Sequence, residues 1–300
     1  MRLLRSRSRP ARLPGLLMML AVLSAGALQA QSPSARPDHV EAEFGTPPPV
    51  PTGGLPEALP AAVQTALVDS VTQGNWGPEQ TGALEKIVAS GDPRLVWMIS
   101  DLMRFVTDPQ LTALLGTAAA ELLEIDPPVQ NQWGVVTDHL IAWDIPAPPG
   151  YLAVKREIFT GVVPGWERIF VDGDVDWRHV SWGGVLIDDR AYDTTDTPCN
   201  CIPAADNPPV STADEASWLR DDDIVFGIEV NGEYRAYPRR IMEVREMVND
   251  TLGGRDLGIP YCTLCGSAQA YFTDDVAGAD EMPVMRTSGL LARSNKVMFD

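Results

Sequence analysis

Near Val163 the spacing of apolar residues changes from a helical to a strand period, so this chain has to build two kinds of layer. Before that point Leu95, Ile99, Leu102, Met103 and Val106 recur at helical intervals, as do Leu111, Leu114, Leu115, Ala118, Leu122 and Leu123. Asp92-Pro93, Asp108-Pro109 and Asp126-Pro127 each offer a side-chain acceptor at the N-cap and a proline at the first helical position. The first two recur 16 residues apart, each with a leucine two positions beyond the proline. This predicts a stacked layer of short helices, continued over Val129–Trp143 and Tyr151–Thr160. After Val163 short strands and turns take over. Ile224–Val230 and Glu233–Tyr237 flank Asn231-Gly232, the favoured pair for a type I′ hairpin turn. Pro238 is expected to open a helix with Ile241, Val244, Arg245 and Val248 along one face, ending at Asp250–Gly254. Further strands are expected in Leu257–Tyr261, Ala268–Phe272, Pro283–Met285 and Lys296–Phe299. The fold class is α+β: an N-terminal layer of short helices, then a mainly antiparallel β-rich domain with one helix packed across it.

The ends and the charge narrow the setting. Residues 1–30 hold five arginines and no acid, followed by the apolar run Leu13–Leu28 and a small-residue exit, the layout of a secretory signal peptide. Residues 31–60 hold eight prolines and few large apolar side chains, and are expected to be a disordered tether with His39 inert in it. The expected division is signal peptide 1–30, linker 31–60, helical region 61–160 and β-rich domain 161–300, the last cut short at its C-terminus. With 23 basic against 41 acidic residues the net charge is −18; outside residues 1–30 it is 18 against 41, or −23. That balance argues against nucleic acid and anionic lipid as partners. No later apolar run is long enough to span a bilayer, so the mature protein is expected to be exported, periplasmic or secreted, with no integral membrane segment.

Chemistry concentrates in the four cysteines, since a phosphate loop, a nucleophile elbow and a zinc-protease helix are all missing from the sequence. Cys262-Thr-Leu-Cys265-Gly266 brings two sulfurs together at a strand end, and Cys199-Asn-Cys201 forms a second short-range pair. Three chemistries fit. In the first, Cys262 and Cys265 are a redox-active dithiol serving a thiol or protein partner without a cofactor, with Arg245 favouring the thiolate and Glu246 or Asp250 shuttling a proton. In the second, Cys262, Cys265, Cys199 and Cys201 bind copper or zinc, with Met242 or Met247 as extra soft ligands for copper. In the third, the cysteines staple loops and helices 60–125 dock a protein. His179 and His139 are expected to pack, and Asp221-Asp222-Asp223 to sit in solvent.

Several of these residues together resemble a known family. Ile202-Pro203, Asp206-Asn207-Pro208, the Asn231–Pro238 hairpin, Val248–Gly254, Tyr261–Gly266 and Ser288–Leu291 are similar to the bacterial domain of unknown function 3179, over about 165–300. The family has no assigned reaction. Some relatives are described as possible selenoproteins, which implies redox chemistry at the cysteine pair. In the family the helix before Val248 usually reads Trp-His-Glu, where this chain has Val244, Arg245 and Glu246. If the family's histidine joins the cysteines on a metal, this chain lacks that ligand, whereas an arginine can still stabilise a thiolate. Cys199-Asn-Cys201 looks foreign to the family pattern.

Overall fold

Helix α5 (Val96–Met103) is apolar on nearly every side, and all eight of its residues are buried. A helix of that composition belongs inside a bundle, whose core the other helices complete. They are α1 (Asp38–Phe44), α2 (Leu59–Val63) continued by a π-helical segment Gln64–Val68 and α3 (Asp69–Thr72), α4 (Pro78–Ala89), α6 (Pro109–Leu123), α7 (Gln132–Ala142) and α8 (Tyr151–Val162). This computed structural model describes residues 38–57, 59–171, 173, 175–194, 198–279 and 282–300. The expected signal peptide and the first part of the expected tether lie outside them. Among the described residues no helix is long and apolar enough to cross a membrane.

The Asp-Pro starts act as expected at two of three positions. The Asp92 carboxylate accepts from Arg94 N (3.0 Å), opening a 3-10 turn that leads into α5, and Asp108 accepts from Gln110 N and Leu111 N (3.0 and 2.8 Å) at the head of α6. At Asp126 the expectation fails. Pro127 is followed by Pro128, which holds extended backbone and becomes the N-cap of a 3-10 turn at Val129–Asn131 before α7. Residues 38–60 also differ from the expected tether. Val40, Phe44, Val50 and Leu55 pack against the helical core, and Trp143 Nε1 and Arg94 donate to the carbonyls of Gly45 and Gly53 at 2.9 and 3.1 Å. A few well-spaced apolar side chains and borrowed backbone acceptors suffice to hold a proline-rich segment down.

The β-rich half contains β1 (Val180–Trp182), β2 (Ala205–Asp206), β3 (Val225–Val230), β4 (Glu233–Pro238), β5 (Met247–Leu252), β6 (Arg255–Cys262), β7 (Ser267–Ala268), β8 (Tyr271–Phe272), β9 (Arg286–Ala292) and β10 (Asn295–Phe299), with α9 (Arg239–Arg245) after β4. The sheets run β1-β9-β10, β2-β5-β6-β7 with β8 also on β6, and β3-β4. All these strand pairs are antiparallel except β2 with β5. Asn231 and Gly232 take positive φ (51° and 83°) between β3 and β4, as their sequence predicts. The expected helix after Pro238 is shorter than its apolar pattern implies: it stops at Arg245, Glu246 turns left-handed (φ 53°), and Met247–Leu252 is a strand. Met247, Val248 and Leu252 are buried because β5 lies inside a sheet, so period alone does not separate helix from strand there.

The cores do not divide at residue 160. One joins the helices to Val180 on β1, Trp166, Ile187 and Leu290; the other holds Val230, Tyr237, Met242, Val248, Leu257, Ile259 and Tyr261. Polar ties fasten the small sheet to the helices. Trp166 Nε1 donates to Ser288 O (2.7 Å), and the Arg104 guanidinium donates to Trp182 O (2.6 Å). The fully buried Lys155 ammonium donates to Val180 O and to Asp101 (2.5 and 2.7 Å). Gly289 (φ 77°) admits no side chain, since a Cβ there would meet Val185 O at 2.2 Å.

The two sheets meet at an ion pair. Arg286 on β9 grips both oxygens of Asp206 on β2 at 2.7 and 2.8 Å, and Asn249 Nδ2 adds a third bond at 2.8 Å. Burial alone would push the Asp206 carboxyl up, but the bonds from Arg286 and Asn249 outweigh it and hold the group below its ordinary 3.8. A depressed carboxylate contributes its stability above the unfolded value and loses it as pH falls through the folded one. Asp206→Asn leaves Arg286 buried without a counter-charge and should lower unfolding free energy at pH 7 by about 3–5 kcal/mol. Urea titrations should show that deficit shrinking below about pH 4, as protonation removes the wild-type carboxylate.

Candidate functional site

Strand β6 ends at Cys262, the chain turns through Thr263–Gly266, and β7 returns to pair Cys262 with Ser267. Gly266 takes φ 63° at the end of this turn. The tight return brings Cys265 back over Cys262, and their sulfurs lie 2.9 Å apart as free thiols. Cys262 is 6% exposed, whereas Cys265 faces solvent beside the protruding Leu264. Both sulfurs sit 3.5 Å from the carbonyl of Ser294, in the β9–β10 turn. Arg293 and Ser294 there take φ 48° and 65°, so with Glu246 three non-glycine left-handed residues surround the dithiol.

Glu246 joins the site through its cap geometry. Its left-handed conformation ends α9 and lets its carbonyl accept from Tyr261 N at 2.9 Å. The carboxylate then accepts from Thr263 Oγ1, inside the cysteine turn, and from Lys296 Nζ on β10. One acid thus ties the dithiol turn to a nearly buried ammonium. Lys296 is a site residue that sequence reasoning misses. Its one signal is a charge at the head of an apolar strand, and no spacing pattern links it to Glu246.

The other expected site residues fall elsewhere. Arg245 makes no hydrogen bond or ion pair with either sulfur; it lines a cavity beside α9 with Ile241 and Met242. Because the helix ends between them, Arg245 and Glu246 serve different surroundings. Asp250 is also remote from proton transfer at the sulfurs: one oxygen accepts from Arg235 and Tyr237 (2.6 and 2.9 Å) and the other from Thr251 N (2.8 Å). Burial and the Asp250 charge push the Tyr237 phenol well above its ordinary range, so it stays protonated and donates. His139 and His179 pack as expected, His139 between Phe44 and Trp143 and His179 against Trp97.

The four cysteines do not form one ligand set. Cys199 and Cys201 are bonded to each other. Their sulfurs and an Asp188 oxygen lie within 4.8 Å of one another, a grouping that contains neither Cys262 nor Cys265. A disulfide supplies no thiolate, and the Asp188 carboxylate already accepts from Arg190 (2.6 and 2.9 Å) and Ala204 N (2.8 Å). Met242 and Met247, the expected soft ligands, are buried.

The hydrogen bond with Cys262 pushes the Cys265 thiol up, desolvation adds to this, and the expected lowering by an arginine is not what the surroundings produce. Alkylation of Cys265 by iodoacetamide should therefore be slower at pH 7 than that of a free thiol, and its rise with pH should come later than a free thiol's. Cys262→Ala should move that rise to lower pH, measured by mass spectrometry of the labelled peptide; an unchanged profile would remove the sulfur–sulfur contact as its cause.

Residues 199–300 match the family model described as "Protein of unknown function (DUF3179)". The matched segment contains both cysteine pairs, the Asn231-Gly232 hairpin, Glu246 and Lys296. No curated protein and no solved structure matches the chain.

Proposed function

We propose that this is an exported thiol–disulfide redox protein whose working couple is Cys262 and Cys265. The observation that carries the proposal is the 2.9 Å approach of one buried and one exposed free sulfur at a hairpin end. Two thiolates on one tetrahedral zinc, each with a bond of about 2.3 Å, stand roughly 3.7 Å apart. The shorter separation favours a dithiol that closes to a disulfide over a metal pair.

Exposure assigns the roles. Cys265, as thiolate, attacks a disulfide sulfur of the partner and releases one partner thiolate. Cys262 then attacks the Cys265 sulfur, closing the intramolecular disulfide and releasing the second partner thiolate. Two electrons pass to the partner, and two protons leave the dithiol. A thiol held protonated makes the reduced form a poorer thiolate and the couple more reducing than one with a stabilised thiolate. Glu246, bonded to Thr263 and Lys296, holds the turn in place during the exchange.

Cys262→Ser should trap a mixed disulfide through Cys265, and Cys265→Ser should trap none, read on non-reducing gels from cells expressing the full chain. Trapping by neither variant, or by Cys265→Ser alone, contradicts these roles.

A further inference from the structure

A cavity of about 900 Å³ opens beside α9, bounded by the β3–β4 hairpin, β2, β5 and the segment after Asn207. Its volume lies in the range of small-molecule sites. Trp218, Leu219, Ile228, Tyr234 and Ile241 give it an apolar wall, and Trp218, Tyr234 and Ile241 remain substantially exposed there.

One cation lines this wall without a partner. Of the nine basic residues in 220–300, Arg220, Arg235, Arg239, Arg240, Arg255, Arg286 and Lys296 each have a carboxylate within 4 Å, and Arg293, in the β9–β10 turn away from this wall, meets His179 instead. Arg245 has none among the described residues, although the chain holds 41 acids to 23 bases. The other charges of the wall are occupied or peripheral. Asp206 is held by Arg286, Arg235 by Asp250, and Glu229 accepts from Gly232 N, while Asp193 is exposed. A half-buried arginine with no carboxylate partner beside an apolar wall matches a carboxylate, which its guanidinium can grip through two parallel bonds.

We infer that this cavity binds a small amphipathic carboxylate, with Arg245 holding the anionic head and the apolar wall holding the body. The site is independent of the redox proposal, since none of its residues touches the two sulfurs in that scheme. Gly227, exposed on β3, also lines the cavity, and a Cβ there meets nothing within 4 Å, so a larger side chain adds bulk at the cavity's rim without displacing a neighbour.

Calorimetry on the full chain with dodecanoate and with 2-naphthoate, against dodecanol as the uncharged control, tests the inference. At least one of the two anions should bind at about one equivalent, with dodecanol much weaker. Arg245→Gln should weaken binding about tenfold or more, and Gly227→Leu should weaken it as well, with the thermal unfolding of both variants unchanged. Absence of binding by both anions, or binding that Arg245→Gln and Gly227→Leu leave intact, overturns the inference.

Discussion

The Asp206–Arg286 ion pair is the joint on which the arrangement of the β-rich half depends. Arg286 opens β9, the strand that carries Ser288 and Leu290 into the helical core and ends in the Arg293-Ser294 turn over the sulfurs. Asp206 lies on β2, which pairs with β5, and β5 in turn pairs with β6, whose end is Cys262. Two charges taken out of water are costly unless both are satisfied. Here two guanidinium bonds and the Asn249 amide satisfy the carboxylate. The pair therefore sets the position of one sheet against the other, and with it the distance between the cysteine turn and Ser294.

Glu246 does locally what that pair does between sheets. Its left-handed backbone ends α9 and starts β5, so two consecutive side chains part ways: Arg245 lines the cavity while Glu246 bridges Thr263 and Lys296. The dithiol and the cavity are thus neighbours along the chain with separate linings. A residue in that conformation costs on the order of 1–2 kcal/mol, which the bonds to the Glu246 carboxylate and carbonyl offset.

Local signals carry much of the fold. Asp92 and Asp108 cap their helices, Asn231-Gly232 makes its turn, and Cys262 and Cys265 come together, because each depends on residues a few positions apart. What is not legible in the sequence depends on distant partners. Arg245 reads as the cation for the thiolate only if its helix runs on through Val248; the turn at Glu246 redirects it. Lys296 reaches Glu246 across 50 positions, and only the β9–β10 hairpin brings it there. The cavity is hidden for the same reason, since its wall comes from separate segments of the chain. Residues 38–60 read as a tether because composition does not reveal that Val40, Phe44, Val50 and Leu55 find places on a surface formed by later helices.

The most direct test of the central claim is differential alkylation with mass spectrometry across graded ratios of reduced to oxidised dithiothreitol. A reversible, two-electron conversion between free Cys262 and Cys265 and a Cys262–Cys265 disulfide is expected, with no cross-link to Cys199 or Cys201. A pair that stays reduced at every ratio, or a bond joining either of these sulfurs to Cys199 or Cys201, would contradict it.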